Sequence, residues 1–140
     1  MRVLVIDDEP DVLLLCRVNL QFAGHEVLEA ADGEHGMELA TSRRPDLIVL
    51  DVMLPKQDGL AVLRQLTGSP ETAETPVVLL TAKAQREDQL RGWEAGCVEY
   101  VTKPFSPTAF AHLVQAVHEM SPEERRTHRD RALARLGGSP

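Results

Sequence analysis

The chain of 140 residues is 43% hydrophobic and 26% charged, with a formal net charge of −7. This is the size and composition of one globular domain with a single sizeable core, and the acidic balance argues against nucleic acid as a partner of the whole surface. The longest apolar runs, four or five residues, fall far short of a membrane span, and Cys16 and Cys97 fit neither metal-ligand spacing nor a disulfide framework.

In chain order, Val3 to Ile6 is a short apolar run ending on Asp7-Asp8-Glu9 and then Pro10. Such a run, bounded by turn residues, reads as a strand buried on both faces, as in a parallel sheet. Two acids follow Met1-Arg2-Val3-Leu4-Val5-Ile6 at once, which is not a signal peptide, so a cytoplasmic protein with reduced thiols is expected. Pro10 suits a first helical turn with Asp7 or Asp8 as its cap, and a helix is expected from Asp11 to about Phe22, closed by Gly24. Its Val12, Leu15, Cys16 and Leu20 follow three-to-four spacing and are expected to face the sheet, which leaves Leu14 and Val18 outward. His25 to Ala30 reads as the second strand and Asp32-Gly33 as a turn. Glu34 to Arg43 reads as a helix carrying Met37, Leu39 and Ala40 inward, stopped before Pro45.

Leu47-Ile48-Val49-Leu50 then runs straight into Asp51, and Pro55 forbids the strand from continuing. After the loop Lys56-Gln57-Asp58-Gly59, Leu60 to Leu66 is expected to be helical, with Leu60, Leu63 and Leu66 at three-residue spacing. Ser69 to Pro76 reads as a loop and Val77 to Leu80 as a buried strand closed by Thr81. Arg86 to Glu94 reads as a helix ended by Gly96, with Trp93 a half-buried packing residue. Cys97, a small core residue, precedes a fifth strand, Val98 to Val101, terminated by Thr102-Lys103-Pro104-Phe105. Ser106 caps a helix with Pro107 in its first turn and Phe110, Leu113, Val114, Val117 and Met120 on one face.

Five strand–helix repeats predict an α/β protein: a doubly wound, flavodoxin-like five-stranded parallel sheet covered on both faces. The order 2-1-3-4-5 puts Asp7, Asp8 and Asp51 together at a switch point, where open α/β sheets bind their ligands. Ser121-Pro122-Glu123-Glu124 starts an extra helix, expected to reach about Leu136 and stop at Gly137-Gly138. The chain therefore divides into a domain, 1–120, and a helical extension, 121–140, which holds five arginines against three acids. Ala132, Leu133, Ala134 and Leu136 are too few for a core stripe, so the extension is expected to be a solvated helix held by charge pairs such as Arg126–Asp130.

Four of the five strand ends carry a distinctive group: Asp7 with Asp8, Asp51, Thr81 and Lys103. Three carboxylates at one sheet edge repel each other, and a hard cation such as Mg²⁺ relieves the repulsion. Lys103 adds a compact point charge and Thr81 a hydroxyl donor. An Asp so flanked can attack phosphorus and form an acyl phosphate.

These residues resemble the receiver domain of two-component response regulators, the chemotaxis-type fold, from Met1 to about Met120. The matching pieces are Ile6-Asp7-Asp8-Glu9-Pro10, Leu50-Asp51-Val52-Met53-Leu54-Pro55, Asp58-Gly59, Leu80-Thr81-Ala82-Lys83 and Tyr100-Val101-Thr102-Lys103-Pro104-Phe105. The resemblance implies that Asp51 accepts a phosphoryl group from a sensor histidine kinase or histidine phosphotransfer protein and signals to a downstream protein target. It implies Mg²⁺ held by Asp8, Asp51 and the Met53 carbonyl, with Asp7 acting largely through water. Lys103 would bridge to the acyl phosphate, Thr81 would swing in to bond another oxygen, and Tyr100 would move inward as the switch aromatic. A cis Lys103–Pro104 bond is implied, as is slow self-dephosphorylation, because Met53 and Lys83 cannot orient an attacking water. The sensor's helical bundle would lie against the first helix, where Leu14 and Val18 offer an apolar seam. The state would be a monomer or a phosphorylation-dependent dimer, with no direct contact to nucleic acid or membrane.

Other readings are a Mg²⁺-dependent aspartyl-phosphate hydrolase of the haloacid dehalogenase type and a scaffold that has lost phosphorylation. The first needs a second acid two residues after the nucleophile, where Met53 stands; the intact acidic pair, Thr81 and Lys103 argue against the second. The chain can also be the receiver half of a longer DNA-binding regulator. The uncharged Thr108, Ala109, His112 and Gln115 make that less expected than a stand-alone regulator.

Overall fold

The computed structural model describes residues 1–137. Its strands are β1 (Arg2–Ile6), β2 (Glu26–Ala30), β3 (Leu47–Leu50), β4 (Val77–Thr81) and β5 (Glu99–Thr102). They form one all-parallel sheet in the order β2-β1-β3-β4-β5. The helices are α1 (Pro10–Phe22), α2 (Gly33–Arg43), α3 (Gly59–Gly68), α4 (Arg86–Glu94), α5 (Pro107–Glu119) and α6 (Pro122–Arg135).

The sheet has two cores because successive strand residues point to opposite faces. Val3, Val5, Leu47, Val49, Val78 and Leu80 pack with Val12, Cys16 and Leu20 of α1 and Phe110, Val114 and Val117 of α5. Leu4, Ile6, Ile48, Leu50, Val77 and Leu79 face the other way, against α2, α3 and α4. Burial on both faces is why these strands read as unbroken apolar runs rather than alternating ones. Cys16 and Cys97 are free thiols, each buried in one of the two cores.

Several local expectations need correction. Leu15 is 43% exposed, so the sheet-facing stripe of α1 is Val12, Cys16 and Leu20 without it. Glu9, not Asp7 or Asp8, is the N-cap of α1, and it makes no side-chain cap bond. Instead Asp7 Oδ1 accepts the Glu9 N–H at 2.9 Å. Trp93 is buried rather than half-buried.

The largest correction is α6. Its start is as expected: the Ser121 hydroxyl accepts the Glu124 N–H, and the Glu124 carboxylate accepts the Ser121 N–H. But it is a docked helix, not a solvated one. Ala132 and Leu133 are fully buried and join the core beside Trp93 and Cys97. Arg129 donates to the Trp93 carbonyl at 2.7 Å and to the Glu94 carbonyl at 3.2 Å, satisfying the end of α4. Arg125 does the same for α5 through the Val117 and His118 carbonyls. Among the described residues Arg126 and Asp130 form no ion pair. The carbonyls at a helix C-terminus lack intrahelical donors, which makes them natural partners for guanidinium groups. Of the two glycines expected to stop the helix, Gly137 has φ +78° and Gly138 lies outside the described residues.

Candidate functional site

β1 and β3 are neighbours, so their carboxyl ends deliver Asp7 and Asp51 to the same point of the sheet edge. The Asp51 N–H donates to the Ile6 carbonyl at 3.0 Å, one step beyond the last paired residues. Both carboxylates are almost completely buried, and Asp8 beside them is exposed. One oxygen from each of Asp7, Asp8 and Asp51 lies within 4.8 Å of the others.

The backbone leaves β3 in a way that shapes the site. The Met53 N–H donates to Asp51 Oδ1 at 2.9 Å, and Met53 bridges to Asp58 across the following loop. Asp58 Oδ1 then accepts the Leu60 N–H at 3.0 Å and starts α3. Gly59 stands where a Cβ would lie 2.3 Å from the Asp51 carbonyl oxygen and 2.5 Å from the Val52 Cα. No side chain fits there, which gives the Asp58-Gly59 pair its physical reason: α3 begins against the backbone of the Asp51 turn.

Lys103 enters from the end of β5, with a cis Lys103–Pro104 bond after it. Its backbone N–H donates to the Thr81 carbonyl at 2.9 Å. Its Nζ lies 2.9 Å from Asp51 Oδ2, 2.9 Å from Asp7 Oδ2 and 2.7 Å from Glu9 Oε1. Burial alone would depress the Lys103 pKa, but the three carboxylates Glu9, Asp51 and Asp7 around the ammonium outweigh it and push it up, so the ammonium stays charged. Glu9 is the residue that sequence reading overlooked as part of this cluster. Its signal was there, as the third acid of the Asp7-Asp8-Glu9 run.

Thr81 is completely buried at the end of β4, and its hydroxyl accepts the Lys83 N–H at 3.4 Å. Tyr100 donates its hydroxyl to the Lys83 carbonyl at 2.6 Å, so Lys83 is held on both sides. Burial, then the Asp88 charge, push the Tyr100 pKa up, which keeps that hydroxyl a donor. A cavity of about 230 Å³ lies beside Tyr100 and Lys83, bounded also by Val52 and Leu60. Leu14 and Val18 are exposed on α1, with Leu15 and Phe22 exposed on the same helix.

The donor set fits a hard divalent cation. Asp7 Oδ2 is buried and accepts no hydrogen bond, its contact with Lys103 being an ion pair outside hydrogen-bonding geometry. Burial, ahead of the opposing pull of the Glu9 N–H and Lys103, pushes the Asp7 pKa up. A desolvated, under-bonded carboxylate with two others in reach is what an oxygen-seeking metal satisfies.

Residues 3–117 match the response regulator receiver domain family. The chain belongs to that family. It is 43% identical over 116 residues to the DNA-binding dual master transcriptional regulator RpaA of Synechocystis, covering 83% of this chain and 48% of RpaA. It shows the same identity and coverage with the alkaline phosphatase synthesis transcriptional regulatory protein PhoP of Bacillus subtilis. This receiver thus spans about half the length of these curated relatives. Among solved structures it is similar to the chemotaxis response regulator CheY4 of Vibrio cholerae, with TM-score 0.78 and 30% identity, covering 83% of this chain and 97% of that one. The receiver fold is a signalling module, and no described helix is long and apolar enough to cross a membrane.

Proposed function

We propose that this receiver takes a phosphoryl group from a phosphohistidine of a sensor histidine kinase or histidine phosphotransfer protein onto Asp51, and passes the signal to a downstream protein in the cytoplasm. The observation that carries the reading is Asp51 itself: a buried strand-end carboxylate held by the Met53 N–H on one oxygen and by Lys103 on the other.

In the transfer, an Asp51 oxygen bonds to phosphorus as the N–P bond of the phosphohistidine breaks, and the electron pair leaves with the imidazole. Lys103, already poised among Asp7, Glu9 and Asp51, pairs with a phosphoryl oxygen. Thr81 turns its hydroxyl to a second oxygen. Asp7, Asp8, Asp51 and the Met53 carbonyl are the groups that would hold Mg²⁺, which when bound supplies positive charge to the phosphoryl oxygens. Met53 and Lys83 carry no carboxamide or carboxylate to orient a water, so the aspartyl phosphate is long-lived. Leu14 and Val18 receive the phosphodonor's helices, and the protein works as a monomer or a phosphorylation-dependent dimer.

With Mg²⁺ and acetyl phosphate the chain is expected to gain one base-labile phosphoryl group, measured by intact mass. Asp51→Asn abolishes it, because an amide is not a nucleophile here; undiminished labelling of that variant overturns the assignment. After removal of the donor, Met53→Asn combined with Lys83→Glu accelerates loss of the label, and an unchanged decay rate shows that these positions do not control it.

A second reading has support from the relatives' names: RpaA and PhoP are transcriptional regulators in which the matched segment makes up 48% of the length. There the same phospho-acceptor would be the control half of a DNA-binding protein. The uncharged Thr108, Ala109, His112 and Gln115 of α5 weigh against it.

A further inference from the structure

α6 touches the fold at more places than a spectator helix needs. At the N-terminus of α4 the Arg86 guanidinium donates to the Leu136 carbonyl, just after α6 ends. At the C-terminus of α4, Arg129 binds the Trp93 and Glu94 carbonyls. On β5, Glu99 meets His128 Nε2 at 2.8 Å, and the His128 ring meets Trp93 edge-on with centroids 5.7 Å apart. Leu133 is fully buried in the same core. One helix therefore clamps both ends of α4 and ties them to β5.

The clamped elements also border the phosphoryl site. Gly92 of α4 lies so close to Tyr100 that a Cβ there would be 2.9 Å from the ring, so Tyr100 is wedged against α4. The Tyr100 hydroxyl binds the Lys83 carbonyl, and the Lys83 N–H binds the Thr81 hydroxyl. A Thr81 hydroxyl drawn toward a phosphoryl oxygen leaves the Lys83 N–H without its partner and frees the segment before α4. Tyr100 then loses its acceptor, with the cavity of about 230 Å³ beside it giving room to move. α6 cannot keep its bonds to α4 and to β5 if the two shift against each other.

We infer that α6 is a built-in clasp whose docking on α4 and β5 opposes phosphoryl-dependent rearrangement at Thr81 and Tyr100, and which loosens when Asp51 is phosphorylated. The second clause rests on the phospho-acceptor reading; the mechanical link between α6 and the 82–85 segment does not. By linkage, a site that weakens α6 docking is itself strengthened when α6 is undocked.

The test uses the full chain. Leu133→Asp and, as the milder variant in case the first fails to fold, Arg129→Ala are compared with the parent protein by amide hydrogen exchange. Exchange in the 82–85 segment is expected to rise about fivefold or more, the lower range of typical inter-site coupling, while the 56–58 loop is unchanged. Unaltered exchange at 82–85 in a folded variant with a loosened α6 overturns the clasp. In a second arm the chain is labelled with acetyl phosphate and Mg²⁺, and trypsin cleavage at the α6 arginines is timed alongside the emission of Trp93, the only tryptophan. Labelled protein is expected to be cut in α6 about fivefold faster or more, with a shifted Trp93 emission. Labelled protein cut at the parent rate overturns the phosphorylation-dependent release. Absence of label overturns the phospho-acceptor reading instead, and the exchange arm still decides whether α6 restrains the 82–85 segment.

Discussion

α1 and α6 are helices of nearly equal length, 13 and 14 residues, and they use apolar side chains in opposite ways. α1 buries Val12, Cys16 and Leu20 and still presents Leu14, Leu15, Val18 and Phe22 to solvent, with Phe22 94% exposed. At about 100° per residue those four fall within an arc of roughly 100°, a continuous apolar face opposite the buried one. α6 owns few apolar residues, buries Ala132 and Leu133 completely, and ties itself down with guanidinium-to-carbonyl bonds. The content of apolar residues therefore does not say whether a helix is docked. Spare helix-end carbonyls on the neighbours can anchor a polar helix, and an apolar surplus can be a face held out for a partner.

The largest expected effect separates the two helices directly. Leu133→Asp puts a charge where a fully buried side chain sits and should cost about 3–5 kcal/mol, capped at the docking free energy of α6, because the helix can detach without unfolding the sheet. Val18→Asp, at a 54% exposed position, should stay within about 0.5 kcal/mol. Urea melts and α6 amide exchange measure both; equal losses would erase the distinction between the helices. Next in size, Leu14→Asp should weaken binding to the phosphodonor protein tenfold or more, since one buried apolar contact is worth about 1.5–3 kcal/mol. Titration by calorimetry reads this, and acetyl phosphate labelling should survive; loss of both would mean that Leu14 serves the fold rather than a partner. Arg129→Ala should loosen α6 docking less than Leu133→Asp does, by about 1–2 kcal/mol in the same exchange measurement, because the Trp93 and Glu94 carbonyls can return partly to water. No change at all would leave Leu133 as the whole anchor.

The three central strands, β1, β3 and β4, were legible because each is an apolar run buried on both faces, whereas the edge strands β2 and β5, mixed in composition and largely half-buried, were legible from the turn residues that flank them. The acidic cluster was legible for a topological reason: once β1 and β3 are neighbours, Asp7 and Asp51 have nowhere else to go. Leu15 was misplaced because it lies three residues after Val12, yet about 100° from the middle of the stripe that Val12, Cys16 and Leu20 define. Spacing from one residue is weaker than the mean direction of the set. α6 was misread because its anchors are backbone carbonyls of α4 and α5, which no side-chain pattern announces. Glu9 escaped for a similar reason, since its partner Lys103 is 94 residues away.

The two cysteines have a bench-top consequence. Cys16 sits in the core with burial pushing its thiol to about 12, and Cys97 is buried on the other side of the sheet with its thiol pushed up too, again by burial first. The reactive species toward maleimides and iodoacetamide is the thiolate, and neither residue offers it at neutral pH. A single cysteine introduced at an exposed position such as Ala134 of α6 can therefore be alkylated in the folded protein against a silent native background. A dye or spin label can be placed on either helix with both native thiols left in place.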